Sequence, residues 1–398
     1  MAELLSLAEA QARVLERVTP LGGERVGVAD AAGRVLAEDA HAAVDLPPFP
    51  SSAMDGFALR ETDTPGRLPV VARIAAGVPV TRPLGPGEAM EISTGGVVPD
   101  GADAVVPIER VVEGDNEIEV SHAVGRMDNI RPRGGDVAAG ELVAARGVRV
   151  GAAHVGALAA AGVAEVVCAR RPRVAILATG TELRRPGETL SPGEVYEANG
   201  VLLAAALGPA GAEVHILPSV ADDEPAHRAA LERGLDADVL VTSGGVSVGP
   251  HDLVRGLLRE LGVDEVFWGV AVKPGKPVAF GVRGSTLVFG LPGNPVSSLV
   301  SCELFVRPAM LALQGATEPG PMYRSGRLAR AVRRNTQRDE FLRARTRWSG
   351  EDGVVLEPVT GQESHMIVRA AGADALLFAP RGDGELAAGD EVRYLSLA

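Results

Sequence analysis

Lysine is nearly absent: of 39 basic side chains in this 398-residue sequence, only Lys273 and Lys276 are lysines and the rest are arginines. Cysteine is as scarce. Cys168 and Cys302 lie far apart in apolar contexts, with no Cys-x-x-Cys and no histidine at ligand spacing. That argues against a disulfide framework and a zinc site, and it suits a reducing cytoplasm. No apolar run approaches the roughly 20 residues of a membrane span. No basic region opens MAELLSLAEAQARVLERV, so a signal peptide is not expected. Positive charge is short overall, and a formal net charge of -13 argues against nucleic acid or acidic lipid as partners, since both need a broad basic face. A small anion remains admissible if the chain gathers its cations locally. The histidines, His154 and His215 among them, are isolated and read as structural.

What is present falls into four textures. Residues 1–46 are alanine-rich and read as helical, with Ser6 and Glu9 as a capping box for a first helix burying Leu7, Val14 and Val18. Together with 140–170, whose GAAHVGALAAAG is a helix stopped by Gly162, they form a discontinuous N-terminal helical or linker domain. Residues 47–139 alternate short β-like runs with Pro/Gly turns, a β-rich insertion domain. From 171 to 315 apolar strands alternate with helices near 199–208, 223–234, 251–261 and 295–313. That rhythm predicts a doubly wound, open, largely parallel sheet. Residues 316–398 return to short strands, a small all-β, barrel-like domain. The chain is thus α/β plus β, multidomain and elongated.

In an open α/β sheet ligands sit beyond the carboxyl ends of the strands. The loops there are TGTEL (179–183), ANG (198–200), ADDEP (221–225), SGGVSVGPHD (243–252), KPGKP (273–277) and LPGNP (291–295). Bare amides in glycine-rich turns at helix N-termini converge on anions, with the helix dipole behind them. Gly244 to Gly249 has the glycine spacing of a P-loop, but Pro250 and His251 replace its Lys-Ser/Thr, and no Gly-x-Gly-x-x-Gly follows a strand. Both lysines fall in KPGKP. An ammonium is a compact point charge that fits among crowded oxyanions where a guanidinium fork does not. Carboxylates recur in these loops and in the insertion domain: Asp55, Asp136, Asp222, Asp223 and Asp252. Beside an anion they suit a bridging Mg²⁺, a hard cation needing oxygen ligands. Asp223 also suits ordinary N-cap duty.

FPSSAMDGFAL, ISTGGVVPDGADAVVP, NIRPRGGDV, TGTEL, SGGVSVGPHD, KPGKP, LPGNP and GQESHM resemble, in order from about residue 5 to the C-terminus, the motifs of the molybdopterin molybdenumtransferases. These are the MoeA proteins, similar to the C-terminal E domain of gephyrin. The resemblance implies an L-shaped homodimer of four-domain subunits whose active cleft is shared between the α/β domain of one and the β-rich domain of the other. It implies Mg²⁺-dependent insertion of molybdate into adenylated molybdopterin, with release of AMP and molybdenum cofactor, and a molybdopterin adenylyltransferase as upstream partner. Matched residue by residue, it puts catalytic roles on Asp55, Thr94, Asp136, Glu182, Asp222, Asp252, Lys273 and Lys276. Substrate contacts fall on Arg131, Ser243, Gly244, Gly245, Ser247, Gly249, Pro292, Gly293, Asn294, Pro295 and Ser364, and metal ligation on Glu182, Asp222 and Asp252. Members usually carry Tyr at Phe57, carboxylates at Thr181 and often at Gly135 or Pro250, and Asp at Glu197. Two other readings use the same motifs: adenylation of molybdopterin by the α/β domain, or a non-catalytic scaffold of the gephyrin type.

Overall fold

The computed structural model describes residues 4–220, 223–245, 253–351 and 353–397. At its centre is a six-stranded sheet: β1 (Arg173–Ala178), β2 (Glu213–Ile216), β3 (Val239–Ser243), β4 (Asp264–Trp268), β5 (Ala279–Arg283) and β6 (Thr286–Leu291), in the order β2-β1-β3-β6-β5-β4. Strands β2, β1, β3 and β6 are mutually parallel. The other two contacts, β6 to β5 and β5 to β4, are antiparallel, so the sheet is mixed. The reason is local. Only Gly284, at φ +59°, and Ser285 separate β5 from β6, a hairpin connection far too short for a parallel crossover. Because β4 reverses relative to β5, it points the same way as the parallel strands, and the KPGKP segment between them lies on the same edge as the other carboxyl-end loops.

The helices begin where their caps place them. Ser6 accepts from the Glu9 amide while the Glu9 carboxylate takes the Ser6 amide, opening helix Leu7–Leu15. Asp223 accepts from the Ala226 amide at 3.0 Å and caps Glu224–Gly234. Glu197 takes the Gly200 amide at 2.8 Å at the start of Asn199–Leu207. The 295–313 helix is continuous but carries a π turn at Cys302–Val306. Pro308 brings no amide to the carbonyl one turn back, and the side chain of Gln11 supplies the donor, 3.0 Å from the Leu304 oxygen. The expectation of no near-span-length apolar stretch needs correcting, because this helix is long and apolar enough to cross a bilayer. Its most apolar window is 78% buried in the protein, as a core helix should be.

Two further corrections concern the N-terminal segment. Residues 1–46 are not mainly helical: after Leu7–Leu15 comes strand Gly23–Gly27, paired with Glu165–Ala169, and Ala40–His41, paired with Leu142–Ala144. Gly23, Gly27 and Gly33 (φ +79°) break the alanine-rich run. The first helix joins the core of the central sheet rather than a separate N-terminal core. Leu7, Ala10 and Val14 pack there with Ile176, Val241, Phe289 and Phe305, and Val18 only partly covers the cluster.

The insertion domain holds a six-stranded sheet with strands from Gly56–Leu59 to Glu117–Val120 and two cores of its own. Gly56 is required there, since a Cβ would lie 2.0 Å from the Val106 carbonyl oxygen. In the C-terminal domain β7 (Asp339–Ser349) and β8 (Gly353–Pro358) belong to a sheet that closes on itself through Ala375–Ala379, forming a small barrel. Phe341, Leu376, Phe378 and Leu395 of that barrel share the central core.

Candidate active site

The carboxyl-end loops are tied to one another by hydrogen bonds. The Thr179 amide donates to the Ser243 oxygen (3.1 Å) and the Gly244 amide to the Leu291 oxygen (3.1 Å), which brings TGTEL, SGG and LPGNP side by side. Gly180 donates to the Val220 oxygen at 3.2 Å. The Glu182 carboxylate lies against Gly180, where an added Cβ would sit 2.4 Å from Oε2. Gly244 and Gly245 have φ +91° and +63°, and side chains there would strike Thr179 O at 2.8 Å and Val254 at 2.6 Å. Only glycine turns this corner, which is why so much bare backbone follows β3. Gly293 and Asn294 are exposed, while Pro292 is buried. From the barrel, Ser364 reaches the same place: Asn294 Nδ2 donates to Ser364 Oγ at 2.8 Å, and the Val296 amide donates to its carbonyl at 3.1 Å. Pro295 is the first residue of the helix that follows.

Two side chains at this edge differ from expectation. Ser243 is 2% exposed, and its hydroxyl is engaged by Asn199 Nδ2 (2.7 Å), Ser298 Oγ (3.3 Å) and Pro292 O (3.4 Å), so it holds loops together rather than facing a ligand. Lys273 forms an ion pair with Glu340 of β7 (2.8 Å), whose side chain is 10% exposed. Lys276 is exposed and has no acidic partner among the described residues. Of the two KPGKP cations it is the one left unpaired among the described residues. Gly275 between them, at φ +113°, sits against Ser301.

A second cluster forms in the insertion domain. Strand Ile130–Arg131 pairs with Ser51–Ser52, with Arg131 opposite Ser51. The Gly95 amide donates to the Ser52 oxygen (2.8 Å) and the Ser52 amide to the Gly96 oxygen (3.0 Å). Three loops therefore meet around exposed Asp55 and Thr94. The Thr94 amide donates to Asp55 Oδ1 at 2.6 Å, and these Thr94 bonds hold the carboxyl below its ordinary range, so it stays ionised at neutral pH. Asp136 is exposed in the neighbouring turn, its amide donating to the Leu46 oxygen at 2.9 Å. No hydrogen bond or ion pair between described residues joins this cluster to the sheet-edge loops. Asp222, Ser247, Gly249 and Asp252 lie outside the described residues. Among the described residues no group of three His, Cys, Asp or Glu could hold a metal; both cysteines are free and buried.

Sequence reading missed Asn199 and Arg343. Asn199, 9% exposed, donates to Ser243 Oγ and to Gly293 O, both at 2.7 Å, so one amide binds three loops; its Oδ1 has no partner among the described residues. In the sequence the ANG loop offers only bare backbone, and nothing in three residues shows where the side chain turns. Arg343, 1% exposed, donates to the carbonyls of Gly361 and Glu363 and shapes the loop carrying Ser364. Replacing Asn199 by Ala removes two buried hydrogen bonds and should destabilise by about 2 kcal/mol. Asn199→Asp should do worse, because it buries a charge against a carbonyl. Thermal melts in the order wild type, Ala, Asp check this; Asp melting with wild type would refute it.

Residues 5–162 match the MoeA N-terminal region (domain I and II), 175–312 a probable molybdopterin binding domain, and 325–397 the MoeA C-terminal region (domain IV). The chain is 36% identical to molybdopterin molybdenumtransferase 2 of Mycobacterium tuberculosis, covering 98% of this chain and 99% of that one. It is 33% identical to the molybdopterin molybdenumtransferase of Haemophilus influenzae, covering 98% of each. Among solved structures it is similar to a molybdopterin biosynthesis MoeA protein of Pyrococcus horikoshii, with a TM-score of 0.80 at 32% identity over 100% of both chains.

Proposed function

The chain belongs to the MoeA family, and we propose that it inserts molybdate into adenylated molybdopterin, releasing AMP and molybdenum cofactor. Molybdenum transfer to molybdopterin is the activity its full-length relatives are named for, and this chain is a transferase of that kind. Adenylation by the α/β domain alone leaves the other two matched regions unused, and a pure scaffold leaves the sheet-edge site unused.

The observation that carries the reading is the gathering of Glu182, Gly244, Gly245, Gly293, Asn294 and Ser364 along one sheet edge, with Lys276 in a loop on that edge as a cation unpaired among the described residues. The glycine turn after β3 presents backbone to an anionic ligand without side-chain obstruction. Lys276 holds an oxyanion, and Lys273 is oriented by Glu340. Water cleaves the phosphoanhydride, leaving one phosphate on AMP and one on the pterin; the two dithiolene thiols give their protons to one molybdate oxygen, which leaves as water as their sulfurs bind molybdenum. Mg²⁺ belongs to this proposal through donor chemistry: Glu182 would hold it together with Asp222 and Asp252, which lie outside the described residues, and the ion would offset phosphate charge.

The working unit in this proposal is a cytoplasmic homodimer, supplied with adenylated molybdopterin by a molybdopterin adenylyltransferase. The Asp55–Thr94–Arg131 cluster has a separate core beneath it and, among the described residues, no bond to the sheet edge of its own chain, which is the arrangement expected if it completes a partner's cleft. The test of function is AMP release from adenylated molybdopterin with Mg²⁺ present. Release should require molybdate; equal release without it would make the protein a hydrolase.

A further inference from the structure

Strand β7 carries Arg343, Arg345 and Arg347 at alternate positions, which puts all three on one face. Arg343 is buried under the Ser364 loop; Arg345, one step along, opens into a cleft of about 530 Å³ on the barrel, shared with Arg330, Arg369, Glu357 and Val368. Glu357 stands opposite Arg345 on β8 yet makes no ion pair with any of the arginines. Three guanidinium groups thus face one carboxylate in a chain whose net charge is -13. Two of them are fixed: Arg330 Nη2 donates to the Pro358 oxygen at 2.6 Å, and Arg345 Nε donates to the Gly372 oxygen. Each keeps most of its N–H donors unused. The guanidinium of Arg369, exposed on the short helix Ile367–Ala370, has no hydrogen bond or ion pair among the described residues. Its stem passes over Gly361, 3.4 Å from where a Cβ would stand.

We propose that this cleft binds a doubly charged tetrahedral oxyanion, either free molybdate or the phosphate of a nucleotide. Uncompensated charge alone would attract any anion. Fixed, planar guanidinium forks favour one with several oxygens to share between them, and pre-set side chains lose little freedom on binding. The volume admits either source, and the well-exposed Val368 (84%) offers apolar surface for a nucleoside. The cleft adjoins the sheet-edge site through Arg343, about 7 Å further along the strand, which grips the loop presenting Ser364 to Asn294. Anion binding is inferred from the cleft itself; that molybdate is a candidate rests on the transferase reading.

Equilibrium dialysis of the full chain against molybdate, and separately against AMP, tests this without turnover, so its failure is distinct from failure of the transferase reading. The Lys276→Ala background keeps the sheet edge from masking the result. Arg345→Gln with Arg369→Gln should weaken binding of one or both dianions by about tenfold or more. Loss for molybdate alone identifies the free oxyanion as ligand, and loss for AMP alone the nucleotide phosphate. Arg369→Glu is the decisive arm, because that side chain is exposed and unbonded and its reversal leaves the barrel folded. It should abolish the same binding, with the melting temperature kept. Unchanged affinity for both dianions in the double variant and in Arg369→Glu would overturn the proposal.

Discussion

Lys276→Arg should lower molybdate-dependent turnover by about 10²-fold while leaving the melting temperature close to wild type. Arginine keeps the charge but lengthens the side chain and spreads the charge over a plane. Near a tetrahedral oxyanion, a displacement of about 1 Å can cost ~10²-fold in rate. The residue is exposed in a loop, so the fold does not depend on its shape. Lys273→Arg should cost less, because the Lys273–Glu340 pair at 2.8 Å is an ion pair that a guanidinium can also make. Steady-state turnover across a molybdate titration, with melts of both variants, separates the two. Near-wild-type rates in both would mean that any cation suffices and that the two lysines carry no special role.

Mixing Asp55→Ala with Lys276→Ala should restore activity that neither variant has alone. If Asp55 serves the cleft of the other subunit, each heterodimer has one cleft with both defects and one with neither. Random exchange then makes about half the dimers heterodimers with one working site of two, so the mixture should regain about a quarter of wild-type activity, by the independence expected of distant sites. Both lesions are exposed and in separate loops, so neither threatens folding. Background activity after demonstrated subunit exchange would place Asp55 in its own chain's cleft, and a monomer by light scattering would rule out sharing altogether.

Much of this architecture could be read from local pattern. The alternation of apolar strands with capped helices after residue 171 foretells the central domain, because each strand and each cap is specified within a few residues, as by Asp223 there and by Ser6 with Glu9 and Gly162 at φ +78° earlier in the chain. What escaped depends on residues distant in sequence. The first helix packs on the central core, where Gln11 answers the carbonyl that Pro308 leaves open, and no periodicity in either segment announces the other. Glu340 neutralises Lys273 from another domain. Ser243 looks like a ligand residue beside two glycines, yet its strand register turns it into the core toward Asn199 and Ser298. Motif spacing locates a loop at the sheet edge; it does not say which side chains in that loop face inward.

The central claim is that cleavage and metal insertion are one coupled event. A single turnover of bound adenylated molybdopterin with Mg²⁺ and molybdate, assayed for both AMP released and molybdenum held by the pterin, tests it directly. The account predicts one molybdenum incorporated for each AMP released, and neither product when molybdate is withheld. AMP released in full with no molybdenum on the pterin would contradict it.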